Sequence, residues 1–277
     1  MNSRVDFPRC AIGIVAHPDD IEFLMAGTLL LLREAGWETH YVTLASGNCG
    51  SARDNSTTTR RRRRSEAQEA ARILGARWHP SLTDDLEIFY QNSLIHGLSA
   101  VVRDVKPGIV LTHSPDDYME DHAITSRLAV TAGFTRGMRN AKTVPRRPAA
   151  DFDTMIYHAM PHGLRDPLRR RIVPGAYVNT TPVHATKLAA LSAHRSQQEW
   201  LQRSQGMNSY LQTMEDLSLE VGRMSGRFKH AEGWRRHSHL GFSCEDGDPL
   251  RQALGKNILI NQNYEKNLAR GLSSASP

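Results

Sequence analysis

The stretch CAIGIVAHPDDIEFLMAGTLLLLREAG, residues 10–36, decides how the chain begins to fold. Its first seven residues form an apolar run without alternation, which is typical of a strand buried on both faces of a parallel sheet. From residue 21 onward apolar side chains recur at helical spacing, and Gly36 follows where a helix would end. The stretch therefore predicts a strand, a loop and a helix, and the loop is HPDD, residues 17–20.

The next segments repeat this alternation of strands and helices. Residues 40–45 predict a second strand, which completes a β-α-β unit with a right-handed crossover. Thr59 is the expected N-cap of a helix over residues 60–74. Further elements are a helix over 94–105, a strand over 109–112 and a helix over 122–134. This order predicts the α/β class, with a Rossmann-like, mostly parallel sheet flanked by helices.

After about residue 150 the pattern changes. Residues 155–159 and 176–179 predict strands, and residues 186–214 predict mainly helix. We therefore predict a Rossmann-like metal-site domain over residues 1–150. A smaller α+β C-terminal portion over 151–277 would complete the substrate site. Residues 144–148 suit a linker or a connecting loop, so a single continuous domain stays open.

The composition excludes several classes of protein. The chain has 277 residues, of which 39% are hydrophobic and 23% charged, so it can bury a sizeable core and is neither a membrane bundle nor largely disordered. Its longest apolar stretch, residues 23–32, is far shorter than the roughly 20 residues that cross a bilayer. Residues 1–9 lack a basic and then apolar leader, so we expect no membrane span and a cytoplasmic location.

The charge balance allows an anionic partner but does not favour nucleic acid. The formal net charge is +6, and five consecutive arginines, Arg60 to Arg64, begin one predicted helix. Aromatic residues make up only 6% of the chain, whereas nucleic-acid surfaces interleave aromatic and basic side chains. We expect a small-molecule substrate and no nucleic-acid partner.

The loop after the first predicted strand carries the residues best suited to chemistry. In open α/β sheets, ligands bind beyond the carboxyl ends of the strands, which is where this loop lies. An imidazole and two carboxylates buried side by side need a compensating partner, and a divalent cation supplies one. His17 and Asp20 are suitable zinc ligands at i, i+3 spacing. A third protein ligand is then needed for an open catalytic site.

The segment HSPDDYMEDH, residues 113–122, is the expected source of that ligand. It follows the strand predicted over 109–112, so it reaches the same edge of the sheet. Glu120, Asp121 and His122 open the next helix, and His122 is our choice. The main competing class is a nucleotide-dependent oxidoreductase, which requires G-x-G-x-x-G where HPDD stands here, and two carboxylates there would repel a pyrophosphate.

These motifs resemble a known family. The pattern A-H-P-D-D-x-E at residues 16–22, with a later D-H that opens a helix, resembles the LmbE-like and N-acetylglucosaminyl-phosphatidylinositol de-N-acetylase (PIG-L) zinc deacetylases. The resemblance covers the first half of the chain well and the second half poorly. It implies a zinc-dependent hydrolase that removes an acetyl or similar small acyl group from an N-acylated amine. The substrate it implies is an N-acetylglucosamine-like sugar or conjugate.

The resemblance also implies roles for individual residues. Zn²⁺, or another divalent metal, would be held by His17, Asp20 and His122, and Asp19 would be the general base. Relatives place a substrate-contacting arginine at the position of Arg63. They often assemble as trimers or hexamers, which implies a homo-oligomer here.

One position departs from the family pattern. Relatives commonly have H-P-D-H in the second motif, and Met119 stands where the first of those histidines is expected. A thioether can neither protonate an amine nor assist an oxyanion. Tyr118, His113, His158 or His162 would have to take over, and the sequence does not choose among them. The alternative is a metal-binding relative whose deacetylase chemistry is altered or lost.

Asn48 completes the set of predicted site residues. It lies in the loop after the second predicted strand, close to the expected crevice, where its amide would suit a sugar hydroxyl. A turn-forming role is equally compatible with an asparagine in this loop. The predicted substrate-binding residues are Arg63, Asn48, Tyr118 and His162.

Overall fold

The computed structural model describes residues 6–205 and 210–271, and within these ranges eight strands form one sheet. The strands are β1 (Cys10–Val15), β2 (Glu38–Thr43), β3 (Arg77–His79), β4 (Ile109–Thr112), β5 (Met155–Ala159), β6 (Ala176–Asn179), β7 (Ala231–Arg236) and β8 (Ile258–Ile260). Their order across the sheet is β3-β2-β1-β4-β5-β7-β6-β8.

Helices cover both faces of this sheet. In the same described ranges they are α1 (Asp20–Leu24), α2 (Ala26–Glu34), α3 (Ser56–Leu74), α4 (Asn92–Val105), α5 (Glu120–Phe134), α6 (His184–Leu191), α7 (Arg195–Gln205), α8 (Tyr210–Ser225), α9 (Pro249–Leu254) and α10 (Gln262–Ala269). None of them is both long and apolar enough to cross a membrane.

The sheet has a parallel part and an antiparallel part. Strands β3, β2, β1, β4 and β5 run parallel to one another, whereas β7, β6 and β8 each run antiparallel to the preceding neighbour in the sheet. Helices pack on the parallel part because its strands are apolar on both faces. The predicted α/β class with a mostly parallel, Rossmann-like first portion is confirmed.

Strand β1 shows why the first stretch of sequence is apolar throughout. Ala11 and Val15 contact the apolar cluster on one face of the sheet, and Ile12 and Ile14 contact the cluster on the other. All six residues of the strand are buried. Each large aliphatic side chain buried in this way contributes about 1.5–3 kcal/mol to folding.

Two predicted helix boundaries are wrong. The helix expected over residues 21–35 is interrupted at Met25, whose φ of −148° and ψ of −2° lie outside the helical region, so α1 and α2 are separate. Helix α3 begins before Thr59, because the side chain of Asn55 is its N-cap and accepts a hydrogen bond of 2.9 Å from the Thr58 amide.

The sheet continues through the domain boundary predicted near residue 150. Strand β5 follows that boundary and pairs with β4, which precedes it, with Val110 opposite Ile156. The division into two portions and the alternative of one continuous domain both stay predictions. The helix predicted over 186–214 is divided among α6, α7 and the start of α8, and residues 206–209 lie outside the described residues.

The order of strands determines where a site can form. Strands β1 and β4 are neighbours in register, with Ile14 opposite Thr112, so the two loops that follow them leave the same edge. Helix α2 covers one face of the sheet and α5 the other, so the chain leaves β1 and β4 in opposite directions. Such a switch point opens a crevice beyond the carboxyl ends of the strands.

Candidate metal centre

The HPDD loop forms a tight turn directly after β1. Asp19 has a φ of 102°, a left-handed conformation that residues other than glycine rarely adopt and that costs on the order of 1–3 kcal/mol. The amide of His17 donates a hydrogen bond of 2.7 Å to Asp20 Oδ2. The turn thereby directs the side chains of His17, Asp19 and Asp20 to the wall of one cavity.

Three side chains from the two predicted loops converge at this point. His17 Nδ1 lies 3.6 Å from Asp20 Oδ2, and His122 Nε2 lies 3.4 Å from Asp20 Oδ1. His17, Asp20 and His122 offer one ligand atom each within 4.8 Å of one another. The structure therefore brings together the three residues that the sequence nominates as metal ligands.

Two further carboxylates orient the imidazole rings. Asp121 Oδ2 lies 3.1 Å from His17 Nε2, and Asp117 Oδ1 lies 3.0 Å from His122 Nδ1. In each ring the other nitrogen is the one that faces Asp20. Metal-binding histidines characteristically place the nitrogen that does not bind the metal against a carboxylate or a carbonyl.

This donor set fits a zinc ion. Two imidazole nitrogens and one carboxylate oxygen are ligands that zinc accepts, and three protein ligands leave a coordination position open, as in catalytic sites. Asp117 Oδ2 is buried and has no hydrogen-bond partner among the described residues, so the site holds more negative charge than its own donors satisfy. A divalent cation would offset that excess.

The two adjacent aspartates differ in their electrostatics. Burial by itself raises the pKa of Asp20, but the neighbouring His122 and His113 hold that pKa well below its usual range. Burial raises the pKa of Asp19, and the charge of Asp20 raises it further. Neighbouring carboxylates with pKa values pushed apart are suited to different tasks.

Asp19 is held by residues from distant parts of the chain. The hydroxyl of Tyr210, on α8, donates a hydrogen bond of 2.5 Å to Asp19 Oδ2. Arg63 Nη2 lies 3.5 Å from Asp19 Oδ1, and the same guanidinium donates to the carbonyl of Pro18. Gly47, with a φ of +76°, gives Arg63 room, because a Cβ there would lie 2.6 Å from Arg63 Nε.

A cavity of about 430 Å³ opens above these side chains. Phe23, Leu24, Trp200 and Leu201 supply apolar walls, and Tyr118, Met119 and His162 lie on the side of His122. A cavity of this size accommodates a small ligand.

Four residues could take over from the histidine that the family pattern expects at Met119, and they lie in different places. Tyr118 and His162 line the cavity, with ring centroids 6.1 Å apart. His113 is completely buried, and its Nε2 accepts a hydrogen bond of 2.9 Å from the Ala16 amide. His158 Nδ1 lies 2.9 Å from the His113 carbonyl, which places it behind the site. Neither His113 nor His158 is among the described residues that line the cavity.

The other two predicted substrate contacts have internal partners. The amide of Asn48 donates to Ser56 Oγ and accepts from the Asp85 amide, both at 2.9 Å, so it ties the loop after β2 together. Arg63 lines the cavity but is only 1% exposed. Their contact with substrate stays a prediction.

Three residues of this site are not among the ligands or substrate contacts that the sequence predicts. Asp117 and Asp121 belong to the acidic segment that predicts His122, and each is 5% exposed and faces an imidazole. Their place beside His122 in an acidic segment was the available signal. Tyr210 had none, since it lies 191 positions from Asp19 and far from any motif.

Comparison with known proteins supports the resemblance. Residues 12–133 match the family described as PIG-L: GlcNAc-PI de-N-acetylase. The chain is 28% identical over 234 residues to diacetylchitobiose deacetylase of Thermococcus kodakarensis, covering 80% of each chain. It is 27% identical over 201 residues to 4-oxalmesaconate hydratase of Pseudomonas putida, covering 69% of this chain and 74% of the hydratase.

A solved structure shares the fold. N,N'-diacetylchitobiose deacetylase from Pyrococcus horikoshii superposes with a TM-score of 0.68 at 23% identity, covering 87% of this chain and 88% of that one. The resemblance that the motifs indicate is thereby confirmed.

Proposed function

We propose that this chain, whose residues 12–133 form a PIG-L family domain, is a zinc-dependent hydrolase of N-acylated amines. It would remove an acetyl or similar small acyl group from an N-acetylglucosamine-like sugar or conjugate. The observation that carries the proposal is the convergence of His17, Asp20 and His122 within 4.8 Å, with Asp19 beside them in a cavity.

The residues divide into a metal-holding set and a proton-transferring set. His17, Asp20 and His122 would hold the zinc ion. When bound, zinc lowers the pKa of a water ligand and polarises an amide carbonyl. Asp19 takes the proton of the attacking water and passes it to the departing amine.

The neighbours of Asp19 fix its orientation. Tyr210 donates to Oδ2 and Arg63 lies near Oδ1, so the carboxylate cannot rotate freely away from the cavity. Tyr118 and His162 are the cavity residues whose hydroxyl and imidazole can donate a hydrogen bond to the oxyanion, the task that Met119 cannot perform. The reaction releases a carboxylate and a free amine.

The proposed substrate class rests on the cavity and on the relatives. The cavity combines the carboxylate-rich centre with the apolar side chains of Phe23 and Trp200, which suits the two faces of a sugar ring. Two of the compared proteins are named as deacetylases of diacetylchitobiose, an N-acetylated sugar.

The test is acetate release by the purified, zinc-loaded protein. We expect acetate and a free amine to appear in equal amounts from N-acetylglucosamine or diacetylchitobiose. Asp19→Asn should slow this release about 10²- to 10⁴-fold while zinc stays bound. Absence of acetate release from a panel of N-acetylated sugars and N-acylated amines, with zinc present, would contradict the proposal.

A second candidate is a hydratase, favoured by the 27% identity to 4-oxalmesaconate hydratase. Addition of water to a carbon–carbon double bond also uses an activated water, but it needs no histidine to assist an amide oxyanion, so Met119 would be tolerated. Loss of ultraviolet absorbance from an unsaturated dicarboxylate without acetate release would favour this function. The cytoplasmic location and the trimeric or hexameric state stay predictions.

A further inference from the structure

A second group of metal-ligating side chains lies outside the candidate metal centre. His184 is the first residue of α6, Glu215 lies in the second turn of α8, and His230 directly precedes β7. One ligand atom from each of them lies within 4.8 Å of the others. None of the three is among the described residues that line the cavity above Asp19.

The two imidazoles of this group are buried and lack partners. His184 is 8% exposed and His230 is 4% exposed. Both ring nitrogens of His184 and Nδ1 of His230 have no hydrogen-bond partner among the residues that the structure describes. Buried polar atoms without a partner are rare in native proteins and cost on the order of 1–3 kcal/mol each. These atoms therefore point to a ligand that would satisfy them.

The backbone holds the two rings side by side. The His230 amide donates to Thr181 Oγ1 at 3.1 Å, and its carbonyl accepts from the Thr180 amide at 3.0 Å. The rings of His184 and His230 stack with centroids 3.7 Å apart and planes inclined by 17°. Because Thr181 lies three residues before the start of α6, these contacts fix both histidines relative to β7.

The nearby positive charges do not occupy the group. Lys187, one turn along α6 from His184, directs its Nζ to Glu232 Oε1 at 2.7 Å and to the Phe23 carbonyl at 3.1 Å. Lys229 is exposed and precedes His230. Glu215 is half-buried and supplies a carboxylate. The three side chains together therefore carry a net negative charge when both imidazoles are neutral.

We propose that His184, Glu215 and His230 bind a transition-metal ion, Zn²⁺ in the first instance, at a site separate from the catalytic one. Two imidazoles and one carboxylate are a ligand set for zinc and its neighbours in the first transition series, whereas calcium and magnesium prefer oxygen alone. The ion would link α6 and α8 to the residue that precedes β7. Since α8 also carries Tyr210, this link would restrict the motion of the helix that contacts Asp19.

Cobalt binding in a background without the first site tests the proposal. The full chain with His17→Ala and His122→Ala is stripped of metal and titrated with Co²⁺. We expect it to bind about one equivalent, detected by visible d–d absorption, and to gain thermal stability from that ion. Adding Glu215→Gln, which preserves side-chain volume, should abolish both signals.

Glu220 provides the matched control on the same helix. It pairs with Arg171 at 2.6 Å and is not part of the group, so Glu220→Gln in the same background should leave cobalt binding unchanged. Circular dichroism of each variant establishes that it is folded. A folded background protein that takes up no Co²⁺, or a Glu215→Gln variant that binds it as before, would overturn the second site without bearing on the catalytic one.

Discussion

The hydroxyl of Tyr210 donates a 2.5 Å hydrogen bond to Asp19 Oδ2, which joins the C-terminal half of the chain to the loop after the first strand. Both side chains are buried, at 1% and 6% exposure. The carboxylate proposed as the general base is thus oriented by a residue outside the part of the chain that carries the motifs. Helix α8 contributes to the site, although the proposed metal ligands lie in the segments that follow β1 and β4.

Replacement of Tyr210 by phenylalanine should slow turnover without releasing metal. Hydrogen bonds to charged groups contribute about 1.5–3 kcal/mol, which corresponds to roughly a 10- to 100-fold loss in kcat/KM. Steady-state kinetics across pH would also show a shifted profile, because the bond acts on Asp19. Tyr157→Phe is the control, since its buried hydroxyl donates to Asp248 Oδ1 at 2.6 Å and it is not among the described residues that line the cavity. Unchanged kinetics and pH profile in Tyr210→Phe would remove Tyr210 from this role.

Neighbouring aspartates should separate metal binding from catalysis. Asp20→Asn removes the carboxylate that lies between His17 and His122, so metal content measured by mass spectrometry should fall to background. Asp19→Asn should retain metal and lose about 10²- to 10⁴-fold in kcat, the range typical of a general base. If Asp19→Asn lost its metal or Asp20→Asn kept it, the two roles would have to be reassigned.

The carboxylates behind the imidazoles should tune metal affinity. Asp121→Asn and Asp117→Asn each weaken the orientation of one ring, and such changes cost about 10- to 100-fold in affinity. Competition with a fluorescent chelator measures the effect. Asp116→Asn is the control, because Asp116 adjoins Asp117 and is exposed. Equal affinities in all three variants would show that the carboxylates do not act through the rings.

Glu232 should be important for stability. Its carboxylate accepts hydrogen bonds from the amides of Gly27 and Thr28 and from Lys187 Nζ, all at 2.7–2.8 Å, and it is 3% exposed. Glu232→Ala leaves a buried ammonium without its partner, which costs about 3–5 kcal/mol in the free energy of unfolding.

Urea denaturation checks this loss. The exposed pair Glu69 and Arg72 is the comparison, since water screens it and Glu69→Ala should leave the urea midpoint nearly unchanged. A Glu232→Ala variant as stable as Glu69→Ala would contradict the structural role of Glu232.

Acid should destabilise the protein partly through His158. Burial lowers the pKa of His158, the hydrogen bond to the His113 carbonyl opposes this, and the nearby His237 and Arg235 lower it too, so that the pKa is about 4. Its ring also contacts His237 Nδ1 at 3.0 Å and Ser126 Oγ, on α5, at 3.1 Å. An ordinary histidine, as in the unfolded chain, titrates near 6.5.

The sign of the effect follows from these two values. Between about pH 6.5 and about pH 4 this histidine is protonated in the unfolded chain and neutral in the folded protein. Its contribution to the free energy of unfolding is therefore fully present above about pH 6.5 and is lost as the pH falls towards about 4. The contribution is on the order of 3 kcal/mol. His158→Gln should flatten the dependence of urea midpoints on pH, whereas His96→Gln, outside this cluster, should not. An unchanged slope in His158→Gln would show that another group dominates.

Local sequence predicted several buried strands well. The apolar run of β1 was recognisable, and β4, β5 and β6 have the bounds predicted for them, because a buried strand has few alternatives. Strands β3, β7 and β8 were not predicted. Strands β3 and β7 carry charged residues such as Arg77 and Glu232, and β8 has only three residues, so pairing with neighbouring strands is what makes them extended.

The sequence by itself determined the loops that carry the candidate ligands, because HPDD and the acidic segment before His122 each follow a recognisable strand. Only the tertiary structure decided which carboxylate faces which imidazole, that Tyr210 and Arg63 hold Asp19, and that His113 and His158 lie behind the cavity. Motif residues can be recognised from their neighbours along the chain, whereas hydrogen bonds between residues more than a hundred positions apart depend on how helices pack on the sheet. No local sequence pattern predicts that packing.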